Sequence, residues 1–265
     1  MSQWLDLLLV WSLAAMTQYA GWRWQRRHAN AGIVDVLWAA CVGGAAVLLA
    51  ALGPGALAPR VLLGLLGGAW GLRLARHLWR RLCREGEDGR YRELRSHWQG
   101  DQRRWLGFFQ LQALSVTVLA LPFLAVAAAH RASAPWLAAG AAIWLLGVLG
   151  ESLADRQLAR FRSDPAQRGR TCRRGLWRYS RHPNYFFEWV HWFAYVALAV
   201  GSPLWGLTWI GPLLMLVFLR YLSGIPWAEA QALRTRGDDY RAYQRATPML
   251  FPWFPRNTPD LWESR

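Results

Sequence analysis

Apolar residues are concentrated in seven long runs that are separated by short polar connections. An α-helix needs about 17–25 apolar residues to cross a hydrocarbon core of about 30 Å. Because lipid offers the backbone no hydrogen-bond partners, such runs are expected to be helical. The pattern therefore predicts an all-α polytopic membrane protein with seven transmembrane helices, at residues 3–21, 32–52, 60–82, 105–129, 135–154, 185–201 and 203–223.

Two segments extend the helical pattern beyond these runs. The fifth run continues through "DRQLARFR", and Asp164-Pro165 should end that helix, since a residue before proline avoids the α region. The tail "WAEAQALRTRGDDYRAYQRATPMLFPWFP" is predicted to be an amphipathic helix that closes on an aromatic end suited to the headgroup region. The first run lacks the basic segment of a signal peptide and carries Asp6, so we expect a mature span.

Charge decides the predicted orientation. The chain carries a net charge of +15 and contains no lysine. The connections at 76–104 and 155–184 carry nine arginines each, whereas those at 53–60 and 130–134 carry one each. Since basic residues remain on the cytoplasmic side, we expect the amino terminus outside and the carboxyl terminus in the cytoplasm.

Composition supports a membrane location and argues against nucleic acid as the partner. Hydrophobic residues make up 54% of the chain, and the positive-inside rule together with anionic lipid accounts for most of the arginine. The arginine-dense loops could also bind a phosphorylated ligand, because the guanidinium fork matches phosphate geometry. No metal site is predicted, since the histidines have no paired ligand spacing and the three cysteines share none.

The stretch "GLWRYSRHPNYFFEW", residues 175–189, places polar chemistry at the mouth of the sixth run. His182-Pro183 suits the first turn of a helix, whose amino terminus favours anions. Asn184 and Glu188 are four residues apart and share one face, where polar groups within a membrane are usually functional. An interfacial anchor would explain the aromatic residues and Arg178, but it would not explain Asn184 and Glu188.

Asp35 is the acid of the second run and lies about one turn into an apolar helix. Burial disfavours the charged form of a carboxyl, so a protonated Asp35 could donate a hydrogen bond to a substrate carbonyl. The alternative is an ion pair with Arg23 or with another span at the interface.

At these residues the chain resembles the steroid 5-alpha-reductase superfamily, in its bacterial branch; "RHPNY" also occurs in related form in sterol ring reductases and isoprenylcysteine carboxyl methyltransferases. The resemblance covers residues 140–255 well and the first half weakly. It implies a single seven-helix membrane domain over 1–265, with a substrate-side half of four spans at 1–130 and a cofactor-binding half at 135–255. It also implies an active site open to the cytoplasm and, for a bacterial protein, the inner membrane.

The resemblance further implies NADPH as hydride donor and a lipophilic, enone-like substrate that is reduced within the membrane. Asp35 would correspond to the catalytic acid, and Trp70 stands where the steroid enzymes carry its tyrosine partner. Phe187 replaces a glycine of the family pattern. The residues implied to bind the cofactor are Arg73, Asp155, Arg162, Tyr179, Arg181, His182, Asn184, Tyr185, Glu188 and Arg220.

The sequence also fits two other functions. A methyltransferase using S-adenosylmethionine is possible, because the tail with Glu229, Tyr240 and Tyr243 also resembles the isoprenylcysteine enzymes. A non-catalytic lipid-binding membrane protein would fit the departures at Trp70 and Phe187. Arginine density favours the reductase, since a dinucleotide phosphate carries several negative charges and the methyl donor carries no phosphate. The expected partners are a lipophilic small molecule and membrane lipid; the oligomeric state is left open.

Overall fold

The computed structural model describes residues 3–222 and 224–256, and in this part of the chain the regular structure is helical without any strand. Ser223, at the end of the seventh predicted span, and residues 257–265 of the basic tail lie outside it. Eleven α-helices are described: α1 Gln3–His28, α2 Ile33–Leu52, α3 Leu57–Glu85, α4 Gly89–His97, α5 Gln102–Leu119, α6 Leu121–Ala127, α7 Ala134–Ser163, α8 Pro183–His191, α9 Phe193–Leu198, α10 Ile210–Val217 and α11 Ile225–Ala246.

Shorter turns connect several of these helices. Three are 3₁₀ turns, at Pro165–Gln167, Gly175–Arg178 and Trp205–Trp209, and a π-helical turn at Phe218–Leu222 follows α10. Two predicted boundaries are confirmed. α7 ends at Ser163, directly before Asp164-Pro165, and α8 begins at Pro183 as the missing N–H of proline allows.

Within residues 3–222 and 224–256, four helical runs are long and apolar enough to cross a membrane, which agrees with the prediction of a helical membrane protein. They are Ile33–Leu52, Gln102–Ala127, Ala134–Ser163 and Trp205–Ala246. The sixth predicted span is divided into α8 and α9, of nine and six residues, and neither is long enough by itself. Seven crossings and the orientation of the termini stay predictions.

The chain forms two compact units. The first unit comprises Met1–Ala141 and Ala194–Gly211, and the second comprises Ala142–Phe193 and Pro212–Arg265. These bounds differ from the two predicted halves, because residues 194–211 group with the amino-terminal helices.

In the first unit, α2 and α3 approach until their backbones touch. A Cβ atom built on Gly71 would lie 2.5 Å from the Cα atom of Gly43, so neither position accepts a side chain. α1 contributes a buried face that includes Gln18 and Gln25, and the amide of Gln25 donates to Gln102 Oε1 at 2.8 Å. The polar groups on this face are therefore partly satisfied by neighbouring helices, as buried polar groups must be.

In the second unit, α11 does not continue as one straight helix, which corrects the prediction of a single amphipathic helix over the tail. Tyr240 donates to Glu229 at 3.3 Å, although eleven residues of straight helix would separate them by about 16 Å. The chain reverses at Gly237, whose φ of 50° and ψ of −119° suit glycine and few other residues. α11 is thus a pair of helical segments folded onto each other.

Candidate functional site

The predicted residues of the second unit meet through a close contact between α7 and α8. A Cβ atom on Gly150 would lie 2.3 Å from Cδ1 of Phe187, and one on Gly147 would lie 2.5 Å from Cβ of His191. Phe187 therefore packs on a glycine of the neighbouring helix. Sequence reasoning missed Gly147 and Gly150, whose three-residue spacing on one face of α7 was the available signal.

This contact brings Asp155 of α7 to Asn184 in the first turn of α8. Asn184 Nδ2 donates to Asp155 Oδ1 at 3.1 Å. With the amide placed this way, Asn184 Oδ1 is buried and has no hydrogen-bond partner among the described residues. Since buried polar atoms are rarely left without partners, this oxygen is an acceptor that a ligand N–H or O–H could satisfy.

Glu188 shares the face of Asn184 but bonds within its own helix end. Its Oε1 accepts from the indole N–H of Trp192 at 3.3 Å and lies 3.6 Å from His191 Nδ1. The predicted pairing of Asn184 and Glu188 on one face is therefore realised. The amide of Asn184 reaches across to Asp155 on α7.

Three arginines lie within electrostatic reach of Cys172 in the second unit: Arg162 from the last turn of α7, Arg174 from the following loop and Arg236 from α11. Burial raises the pKa of the Cys172 thiol, and the positive charges of Arg174, Arg162 and Arg236 oppose that shift only in part. Within residues 3–222 and 224–256, none of the three arginines forms an ion pair, and Arg236 Nε is buried without a hydrogen-bond partner.

The nearby carboxylate does not neutralise this arginine cluster. Asp239 lies within electrostatic reach of Arg236, but its Oδ1 accepts from Arg173 Nη2 at 2.6 Å and its Oδ2 from the backbone N–H of Thr171 at 2.7 Å. Within residues 3–222 and 224–256, no ion pair therefore offsets the positive charges of the cluster of Arg162, Arg174 and Arg236, of which Arg162 and Arg174 are exposed to solvent. Of the three, sequence reasoning named only Arg162; the arginine density of the 155–184 connection was the signal for Arg174.

Arg181 and His182, which were predicted to bind the cofactor, have their partners in α11 and the segment that follows. Arg181 Nε donates to Glu229 Oε1 at 2.7 Å, and its Nη1 donates to the carbonyl oxygens of Gln244 and Thr247 at 3.0 and 2.8 Å. His182 Nε2 lies 3.3 Å from Glu229 Oε1. These contacts fix the start of α8 to α11.

The aromatic residues of the motif have packing partners. The rings of His182 and Tyr185 are stacked with centroids 5.4 Å apart, and the ring of Tyr179 meets Phe254 edge to face at 6.0 Å. Burial lowers the pKa of His182, because desolvation disfavours the charged ring, and Glu229 offsets only part of this shift. His182 is therefore a buried, neutral group at neutral pH.

Arg220 lies in the π-helical turn of the second unit, where it lines an apolar groove with Tyr221 and residues 248–251. The groove includes none of Asp155, Arg162 or Asn184. The predicted grouping of Arg220 with these residues at a single site therefore receives no support from the groove.

The remaining predicted residues belong to the first unit. Asp35 accepts a hydrogen bond from the hydroxyl of Tyr91 at 2.7 Å. It also forms an ion pair with Arg90, whose Nη2 lies 3.1 Å from Asp35 Oδ2. Its partner is therefore on α4 and is not Arg23. Trp70 is fully buried and packs edge to face on Trp38, and Arg73 is half-buried on α3.

Tyr91 and Arg90 complete a charged network around Asp35. Burial raises the pKa of Tyr91 well above its ordinary value, and the negative charge of Asp35 adds to that effect, so the hydroxyl keeps its proton. Burial alone would lower the pKa of Arg90, but Asp35 and Asp88 raise it above the ordinary value. Asp35 thus accepts from two donors of α4, the hydroxyl of Tyr91 and the guanidinium of Arg90.

Comparison with known protein families identifies the family of the chain. Residues 21–247 match a family described as Protein of unknown function (DUF1295). The chain belongs to this family. The part that matches DUF1295 includes every residue predicted for the site, from Asp35 to Arg220, together with Arg236 of the arginine cluster. Comparison with curated proteins found no match, and comparison with solved structures found none.

Proposed function

We propose that the protein is a membrane reductase that uses NADPH to reduce a lipophilic, enone-type substrate. The observation that carries this proposal is the cluster of Arg162, Arg174 and Arg236 in the second unit, whose positive charges no ion pair offsets within the described residues. The resemblance of residues 140–255 to the steroid 5-alpha-reductase superfamily supports the same reading. Under this proposal the protein acts in the bacterial inner membrane with its active site open to the cytoplasm.

The charge of the cluster fits a ligand with several phosphate oxygens. Guanidinium groups bind phosphate through two parallel N–H donors, and such charge-assisted hydrogen bonds are roughly twice as strong as neutral ones. Two like charges close together repel each other, and an anion between them removes that repulsion. The charges of Arg162 and Arg236 repel each other in this way, and the unpartnered Nε of Arg236 would give the anion a donor.

Asp155 and Asn184 fit a second part of the same cofactor. Asp155 and Arg162 are seven residues apart on α7, so they lie on one face about 10 Å from each other along the helix axis. Asp155 orients the amide of Asn184, and the unpartnered Oδ1 is left to accept from the ligand. On one face of α7, Arg162 would bind phosphate, and Asp155, about 10 Å away, would orient Asn184 towards a neutral polar part of the cofactor.

When bound, NADPH would supply the hydride, and the chain would supply binding and orientation. Arg162, Arg174 and Arg236 would hold the phosphates, and Asn184, fixed by Asp155, would orient a polar edge of the cofactor. Arg181 and His182 are left out of the binding set, because Glu229 holds their side chains. Asp35 and Trp70 stay as the substrate-side residues that the resemblance implies.

Equilibrium titration of the detergent-purified protein with NADPH tests this proposal. Losing one charge-assisted contact should weaken NADPH binding by about 10–150-fold in Arg162→Ala and in Arg236→Ala. Arg168→Ala is the matched control, since it removes an exposed arginine of the same connection outside the cluster. Binding should also weaken as salt is added. No measurable affinity of the wild type for NADPH, or an equal loss in Arg168→Ala, would overturn the proposal.

A second function has one specific observation in its favour. Glu229 ties Arg181 and His182 of "RHPNY" to the tail helix, so the two motifs shared with isoprenylcysteine carboxyl methyltransferases are joined in one network. This network would fit an S-adenosylmethionine-dependent membrane methyltransferase, in which both motifs belong to one site. Titration of the same preparation with S-adenosylmethionine separates the two: binding of this ligand without binding of NADPH would replace the reductase by the methyltransferase.

A further inference from the structure

A groove of about 310 Å³ lies in the second unit, apart from the arginine cluster. Leu216 of α10, Arg220 and Tyr221 of the π-helical turn, and residues 248–251 after α11 line it. Its walls are therefore apolar except for one guanidinium and one phenol. We call it the Arg220 groove.

The charge of Arg220 has no acidic partner within the described ranges 3–222 and 224–256. Its guanidinium carbon lies over the ring of Tyr221, 4.8 Å from the centroid, which shields one side of the group. A cation over an aromatic face is stabilised but keeps its N–H donors. An arginine next to hydrocarbon is costly unless an anion or water meets it.

The surface around the groove is apolar and exposed. Leu213, Val217 and Tyr221 follow one another at four-residue spacing and are 61%, 42% and 64% exposed. Phe251 on the opposite wall is 54% exposed, and Trp253 just beyond it is 72% exposed. Exposed aliphatic residues beside Tyr and Trp are typical of the level where hydrocarbon meets headgroups. The helical run that carries this face, Trp205–Ala246, is one of those able to cross a membrane.

We propose that the Arg220 groove binds an anionic phospholipid of the surrounding bilayer, with its phosphate on Arg220 and the start of an acyl chain on Leu216 and residues 248–251. Charge complementarity selects this occupant: a guanidinium pairs with a phosphodiester in two parallel hydrogen bonds, whereas a neutral lipid leaves it unmatched. The open, exposed side of the groove suits a ligand that remains partly in the membrane. This assignment takes Arg220 away from the dinucleotide.

Native mass spectrometry and lipid titration of the detergent-purified full chain test the proposal, with phosphatidylglycerol, phosphatidylcholine and diacylglycerol as probes. Phosphatidylglycerol should bind tightest and diacylglycerol weakest. Arg220→Gln, which keeps most of the side-chain length without the charge, should weaken phosphatidylglycerol binding about tenfold or more. Arg245→Gln, an exposed arginine of the same unit, is the control and should change nothing.

Phe251→Ala should weaken the binding of phosphatidylglycerol and of phosphatidylcholine to the same extent, because it removes part of the apolar wall of the groove. NADPH titration of Arg220→Gln separates this inference from the reductase proposal, since that affinity should be unchanged. Equal binding of diacylglycerol and phosphatidylglycerol, or no effect of Arg220→Gln on lipid, would overturn the inference. Loss of NADPH affinity in Arg220→Gln would also overturn the inference, because it would show that Arg220 contributes to cofactor binding.

Discussion

At the scale of single residues, Glu229 contacts four side chains of the second unit. Its Oε1 accepts from Arg181 and Tyr240 and lies next to His182, and its Oε2 accepts from Gln244 at 2.8 Å. The side chains of Glu229 and Arg181 are 15% and 9% exposed, so the pair is largely removed from water. Removing one member of such a pair leaves the other buried without compensation.

Glu229→Ala should therefore lower the free energy of unfolding by about 3–5 kcal/mol, the usual cost of breaking a buried pair. Glu229→Gln keeps an acceptor and should be milder. Asp238→Ala serves as the control, because the 95% exposed Asp238 pairs with Arg241 at the surface and such pairs contribute about 0–1 kcal/mol. Thermal or denaturant unfolding in one detergent gives all three values, and equal losses at Glu229 and Asp238 would contradict this role.

His182 gives the second unit a pH dependence with a definite sign. Burial lowers the pKa of His182 below its ordinary value of 6.5, so the unfolded chain takes up this proton at a higher pH than the folded chain does. Stability should consequently fall as the pH drops from about 6.5 towards the folded pKa, and this group should have no effect above that range. His182→Gln should reduce the dependence of the unfolding free energy on pH, whereas His97→Gln, at an exposed site, should leave it unchanged. If neither variant changes this dependence, His182 is not its source.

At the scale of elements, close approach and chain reversal position these residues. Gly150 lets α8 settle onto α7, which brings Asn184 to Asp155. Gly237 reverses α11, which brings Tyr240 and Gln244 to Glu229. Gly150 permits this because a side chain there would clash with Phe187. Gly237 permits it because its backbone angles suit few residues other than glycine.

Gly237→Ala should destabilise the protein by about 1–3 kcal/mol, the cost of holding a residue with a side chain in a sparsely populated backbone region. A Cβ atom there would meet no neighbouring atom, so the loss should come from backbone strain and not from a clash. Gly44→Ala on α2 is the control: its Cβ also has open space and its φ is not positive, so alanine should be neutral or stabilising. Equal unfolding midpoints for the two variants would rule out a strained reversal.

At the scale of the whole molecule, helices and arginines together determine how the chain would lie in a membrane. In the part of the chain that the structure describes, four helical runs are able to cross a membrane by length and composition. The arginine-rich connections alternate with arginine-poor ones, which is the charge distribution that orients membrane proteins. An odd number of crossings would place the termini on opposite sides.

Reporters active on only one side of the membrane, fused at each end, should place the amino terminus outside and the carboxyl terminus in the cytoplasm. Internal fusions in the 76–104 and 155–184 connections should report the cytoplasm, and those at 53–60 and 130–134 the outside. A carboxyl-terminal fusion that is active outside would contradict the predicted orientation and with it a cytoplasmic opening of the site.

The sequence by itself determined most of the helical segments and where several of them end, because apolar runs, proline positions and backbone rules act locally. It predicted the end of α7 before Asp164-Pro165 and the start of α8 at Pro183. It also singled out Asp155, Arg162 and Asn184, two of which the structure joins by a hydrogen bond.

Only the tertiary structure decided which side chains meet. Asp35 pairs with Arg90, 55 residues away, and not with Arg23, because α4 packs over the start of α2. Arg181 and His182 look like free cationic groups in the sequence, yet the reversal at Gly237 presents Glu229 to them. Partners so distant along the chain depend on how helices approach one another, and that approach is set by packing contacts such as that of Gly150 with Phe187, which exist only in the folded chain.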